Sequence, residues 1–150
     1  MTMTSDRLAV VTPANHVPGP KQGQWTYAHY AALPDDRKRY EIVGGVLYTM
    51  LTPDTSHQEV LGEIFCYLRT NIKPTKLGRV YMAPFDVELA YDLVVQPDVL
   101  VVLNINLDRV LDSRIVGAPD LVVEVASPGT ATRDRREKYD AYANTGVPEY

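Results

Sequence analysis

Apolar positions along "PDTSHQEVLGEIFCYLRTNIKP" (residues 53–74) recur every three or four residues, at Val60, Leu61, Ile64, Phe65, Leu68 and Ile72. That is the spacing of one helix face. Ser56 followed by Glu59 three residues on predicts a capping box, and Pro74 predicts the stop. The period then changes. "GRVYMAPFDVELA" alternates loosely through Val80, Met82, Phe85, Val87 and Leu89. "LVVQPDVLVVLN" and "DLVVEVAS" are nearly continuous β-branched runs, as expected of strands covered on both faces. A helical period returns in "RDRREKYDAYANTG", with Tyr139, Tyr142 and Ala143 on its inner face and Gly146 and Pro148 beyond its end.

Ahead of these lie a short helical stretch from Thr26 to Pro34 and "YEIVGGVLYTML", two apolar runs around Gly44-Gly45 that predict a hairpin. Residues 1–23 hold no sustained period and are expected to be a flexible lead-in to one domain at 24–150. The reading is an α+β fold: a hairpin, then the order α-β-β-β-α, a mixed central sheet flanked by helices. "VPEY" at the end reads as the approach to a further strand.

Composition narrows this picture a little. A chain of 150 residues with 45% hydrophobic and 23% charged content suits one globular domain. A net charge of −4 gives no sign of a nucleic-acid partner and counts mildly against one, although "TRDRREK" gathers Arg133, Arg135, Arg136 and Lys138. Its plain alternative is a solvated helix face. Cys66, the single cysteine, excludes an internal disulfide and sits in the helical pattern, so a buried inert thiol and a reducing, cytoplasmic setting are expected. No apolar run is long enough to span a membrane, and "LAVV" behind Arg7 is too short for a signal-peptide core.

The chemistry concentrates on two acids. Asp98 in "VQPDVLVV" and Glu124 in "DLVVEVAS" each stand among apolar residues. They are either unrelated acids at strand ends or exposed edges, or a pair on one face of neighbouring strands. As a pair they would repel unless a proton or cation lay between them. A hard divalent cation such as Mg²⁺ suits such oxygen ligands and keeps several waters.

Five segments carry a resemblance: "YEIVGG", "SHQEVLGEI", "VQPDVLVV", "GAPDLVVEVASP" and "RDRREKYDAYANTGVPEY". In that order, from about Trp25 to Tyr150, they resemble the Uma-two family of restriction endonucleases, a branch of the PD-(D/E)xK nuclease superfamily. The resemblance implies a restriction-endonuclease-like core of a helix, three antiparallel strands, a second helix and a parallel fourth strand, here cut off at the C-terminus.

It also implies metal-dependent hydrolysis of DNA phosphodiester bonds, with Mg²⁺ (or Mn²⁺) held by Asp98 and Glu124, and pairing into a homodimer. The superfamily lysine two residues after the second acid is missing, because Ala126 stands there. The resemblance moves that role to Lys138 on the following helix, whose plain alternative is an exposed pair with Asp134.

His57 is implied as a site neighbour. Glu41 is either a further ligand or an exposed strand charge. Gln96 is expected on the face of Asp98, within reach of metal-bound water. Asp86 is a weaker candidate from the neighbouring strand, and Asp120 is left outside the site. Arg133, Arg135 and Arg136 are the expected DNA contacts. A competing reading is a non-catalytic DNA- or protein-binding module on the same scaffold.

Overall fold

The structure, a computed structural model, describes residues 11–126 and 133–150, with side chains in the second segment from residue 136 onward. A short helix α1 (Tyr27–Ala31) precedes the hairpin β1 (Tyr40–Val43) and β2 (Val46–Thr49). Val43 pairs with Val46 across Gly44 and Gly45, whose φ angles are 56° and 73°. Glycine takes this left-handed two-residue turn without steric cost.

Helix α2 (Thr55–Ile72) follows, and its cap differs from the expected one. The cap is Asp54, which accepts a 2.8 Å hydrogen bond from the His57 backbone N–H, so Ser56 already lies inside the first turn. A carboxylate there also faces the positive end of the helix dipole. Asp54→Ala is expected to cost about 1 kcal/mol, a fall in melting temperature of about 2–4 °C on a calorimetric scan.

The inner face of α2 carries Leu61, Ile64, Phe65, Leu68 and Ile72 against Val80, Val99 and Val101. Val60, at 47% exposure, falls outside it. Cys66 is exposed, against the buried thiol expected, because the turn places it beyond the apolar stripe.

Six strands, not three, lie between α2 and the last helix: β3 (Gly78–Met82), β4 (Asp86–Ala90), β5 (Leu93–Val95), β6 (Val99–Leu103), β7 (Arg114–Val116) and β8 (Leu121–Val123). Two runs that read as single strands are each broken near a proline, Pro84 and Pro97, which has no N–H to give a ladder. Each break passes the chain between two sheets, one ordered β2-β1-β5-β4-β7 and the other β3-β6-β8. All neighbours are antiparallel except β4 and β7, so the larger sheet is mixed.

Alternation then explains the apolar run "VLVVL" of β6. Val99 and Val101 pack beneath α2. Leu100 and Val102 turn the other way and meet Val122, Val87, Val95, Ile115 and Tyr142 between the two sheets. Both faces are covered, so no polar position is tolerated.

The outer face of the larger sheet carries Tyr40, Ile42, Leu47 and Val94 under Trp25 and Ala14. Residues 11–23, expected to be a flexible lead-in, therefore belong partly to the fold. Ala14 is fully buried, its N–H donates to the Leu47 carbonyl at 2.7 Å, and Pro13 bridges to Tyr48. Their apolar residues are too sparse to form a period. Residues 1–10 lie outside those described.

Helix α3 (Arg133–Asn144) turns Lys138, Ala141 and Tyr142 inward. Tyr139 and Ala143, expected on that face, are exposed instead. Lys138 and Tyr142 stand one helical turn apart, so the inward stripe includes a charged residue that a search for apolar positions passes over. Beyond the helix, Val147 is buried and Glu149 forms a parallel bridge to Leu121 at the edge of β8. Among the described residues, no helix is long and apolar enough to cross a membrane.

Candidate active site

The register of β6 against β8 brings the two acids together. The ladder ends at Val99 opposite Val123, so the next step outward sets Asp98 opposite Glu124. By strand alternation that step faces away from the α2 side taken by Val99 and Val123. Glu124 therefore lies just past the end of its strand rather than in the middle of it, as its apolar neighbours suggested.

Asp98 replaces a missing rung. Its Oδ2 accepts from the Val125 N–H at 2.7 Å, where the ladder stops, and lies 3.1 Å from His57 Nε2. The helix start capped by Asp54 brings His57 to this position. Its side chain is 9% accessible, and among the described residues its Nδ1 has no hydrogen-bond partner.

Lys138 lies between two carboxylates. Nζ donates to Glu41 Oε2 at 2.9 Å and Oε1 at 3.0 Å, and to Glu124 Oε1 at 3.1 Å. Glu41 is 2% exposed, which decides against the exposed strand charge. Alternation along β1 sends Tyr40 and Ile42 to the outer cluster, leaving Glu41 to point inward. Glu124 Oε1 also accepts from the Tyr142 hydroxyl at 2.5 Å. Lys138 is thus a buried member of the centre rather than an exposed surface cation.

Gln96 joins this centre to a second network. Its backbone N–H donates to Glu41 Oε1 at 2.7 Å, and its amide donates to Asp86 Oδ1 at 2.7 Å and to the Tyr30 hydroxyl at 3.1 Å. Both amide hydrogens are therefore committed to protein partners, against the expected role toward metal-bound water. Its Oε1 accepts from Arg39 Nε at 2.8 Å. Asp86 stands behind Gln96 and does not line the cleft. Burial, followed by the charge of Asp86, raises the Tyr30 phenol well above its ordinary value.

Arg39, His57, Gln96, Asp98, Glu124 and Lys138 line one cleft of about 660 Å³, with Met50, Leu51, Val123 and Val125 in its apolar wall. Arg136 is exposed and does not line it. The side chains of Arg133 and Arg135 lie outside those described. Asp120 accepts from the Leu103 N–H and from Asn106 Nδ2, both at 2.7 Å, a local structural role. Ala126 is exposed.

Sequence reasoning missed the polar roles of Tyr142, Tyr30 and Arg39. For Tyr142 a signal existed, since it stands one turn after Lys138. Tyr30 reaches the network across 66 residues of sequence, a distance that no local pattern reveals.

The carboxyl of Glu124 is pushed up to about 7. Desolvation is the main cause; Lys138 opposes it, Glu41 adds to it, Tyr142 opposes it and Asp98 adds a little more. Glu41 and Glu124 share the one lysine and Asp98 acts on Glu124 as well, so the centre holds excess negative charge, which a cation would relieve.

The donor chemistry suits one kind of ion. Asp98 Oδ1 and Glu124 Oε2 have no protein donor among the described residues. Among the same residues, no three His, Cys, Asp or Glu side chains gather into a ready-made metal cage. Two carboxylates with open cleft beside them fit Mg²⁺ or Mn²⁺, which take water and phosphate oxygens for the remaining positions. They are a poorer match for zinc, whose sites carry three or four protein ligands rich in nitrogen and sulfur.

Comparison with known proteins agrees with the fold. A crystal structure described as "a putative nuclease belonging to DUF820" from Anabaena variabilis is similar, with a TM-score of 0.63 and 20% identity over 76% of this chain. The match spans 64% of that chain. No curated protein matches. The model of the Uma2 family, described as "Putative restriction endonuclease", matches residues 27–150. With most of its length matched, the chain belongs to the Uma2 family.

Proposed function

We propose that this protein is a metal-dependent endonuclease that hydrolyses DNA phosphodiester bonds at the cleft of Asp98, Glu124 and Lys138. The observation that carries this reading is Lys138 Nζ held within 3.1 Å of Glu124, beside Asp98, although the usual lysine position is Ala126. A helix side chain thus supplies the cation that the neighbouring strand lacks.

Asp98 and Glu124 would hold one divalent ion through their remaining oxygens. Bound there, the ion supplies Lewis-acid polarisation of a phosphate oxygen and acidifies a water ligand. Glu41 fixes Lys138, which offers positive charge to a phosphate as negative charge builds on it. Tyr142 holds the Glu124 carboxylate in one orientation, and His57 with the Val125 N–H does the same for Asp98.

The decisive assay follows plasmid and single-stranded DNA in Mg²⁺, in Mn²⁺ and in chelator. Product with metal and none in chelator is expected. DNA binding undiminished in chelator, with no product under any metal, would instead assign a non-catalytic module.

Metal binding should depend on pH with a definite sign. Because the folded protein holds a proton on Glu124 more tightly than the unfolded chain, this contribution to stability is complete below pH 4.5 and lost as pH rises through about 7. A cation needs the opposite, ionised form. Mg²⁺ affinity should therefore fall as pH drops below about 7. Calorimetry in buffers of different ionisation enthalpy should show close to one proton released at about pH 6 and little at about pH 8. Tyr142→Phe removes a donor that favours the ionised form, so it should move this transition upward.

A further inference from the structure

We propose that Arg39 grips a backbone phosphate of the substrate in this cleft, an assignment that rests on the nuclease reading above. The carboxylate–lysine centre has little attraction for a polyanion, because the charge of Lys138 is shared between Glu41 and Glu124. Arg39 lines the same cleft, and among the described residues it has no carboxylate partner. A guanidinium has five N–H donors in a planar fork that matches two phosphate oxygens. Among the described residues Nε alone is engaged, by Gln96 Oε1 at 2.8 Å.

The arrangement also holds the fork in place. The Arg39 carbonyl accepts from the Met50 N–H at 2.8 Å at the open end of the hairpin. Gln96 is fixed in turn by Tyr30 and Asp86, and its backbone N–H binds Glu41. One residue therefore sets the position of both the guanidinium and the acid that holds Lys138. Gln96, Asp86 and Tyr30 act as positioning residues, and Arg39 touches the substrate. A preset donor loses little freedom on binding, which suits a cation at the wall of a cleft lined by Asp98 and Glu124.

The test measures binding apart from cleavage. Fluorescein-labelled oligonucleotides of about 20 nucleotides, single-stranded and duplex, are titrated with the full chain in chelator from about 50 to 200 mM salt. Arg39→Ala should weaken binding about tenfold. It should also make the plot of log affinity against log salt shallower by about 0.7 to 0.9, the loss of one phosphate contact. Arg39→Lys keeps the charge, so it should retain the slope while binding more weakly than wild type.

A merely structural role would not move the slope, and unchanged slope and affinity in a folded Arg39→Ala protein would overturn the assignment. Should that variant fail to fold by circular dichroism, Arg39→Gln decides on the same slope criterion. Wild-type cleavage with an indifferent variant removes Arg39 alone. Absence of both oligonucleotide binding and metal-dependent cleavage in the wild type removes the nuclease reading together with it.

Discussion

Asp98→Asn and Glu124→Gln should each lower Mg²⁺-dependent DNA cleavage by about 10³-fold or more while leaving the fold intact. A metal at a phosphoryl centre contributes several kcal/mol to transition-state stabilisation, and each 1.4 kcal/mol is a factor of ten. The amides preserve the local contacts. Asparagine at 98 keeps an oxygen to accept from the Val125 N–H, and glutamine at 124 keeps one for the Tyr142 hydroxyl. What they remove is anionic charge on the oxygens that face the cleft.

The two substitutions should separate on stability. The Glu124 side chain keeps 32% of its surface accessible, yet the desolvation it does suffer disfavours the ionised form and pushes its carboxyl up to about 7. At about pH 8 in chelator, Glu124→Gln should therefore melt in urea at or above the wild-type midpoint, even though it is inactive. Asp98→Asn should gain nothing comparable. A site whose loss stabilises the protein is a functional site rather than a structural one. Wild-type cleavage rates in both variants would remove the metal centre from the account.

Much of this site was legible in the sequence, for one reason. Asp98 and Glu124 interrupt apolar runs, and a carboxylate in a dry strand needs a partner. Their shared rung depends on the offset between β6 and β8, which is set by tertiary pairing and not by local pattern. Glu41 could not be resolved because period-2 alternation gives two faces without saying which is inward. The hairpin packs Tyr40 and Ile42 against Trp25 and Ala14, and only that contact decides it. Arg39 lies at the end of "DDRKRY", a run that reads as a solvated loop. Its partner Gln96 is 57 residues away. The strand count failed for a physical reason as well. Residues on both sides of Pro84 and Pro97 have strand-like composition, but the breaks there send consecutive strands into different sheets. The three-residue strand β7 carries too few positions for any period to show.

Lys138→Met should abolish cleavage and cost about 3–5 kcal/mol of stability, the usual penalty for leaving a buried charge without its partner. Glu41 is the residue left behind. It is 2% exposed, and among the described residues its donor besides the ammonium is the Gln96 N–H. The double variant Lys138→Met/Glu41→Gln removes both charges and should recover most of the lost stability, since a neutral pair of similar size often replaces a buried ion pair without net cost. The penalties of the single changes would then be strongly non-additive, as expected for groups in direct contact. Cleavage should not return with stability, because the cation offered to the phosphate is still absent. This divergence separates the two roles of Lys138. Cleavage restored together with stability would mean that Lys138 only neutralises Glu41, and that the charge at the reacting phosphate comes from elsewhere in the cleft.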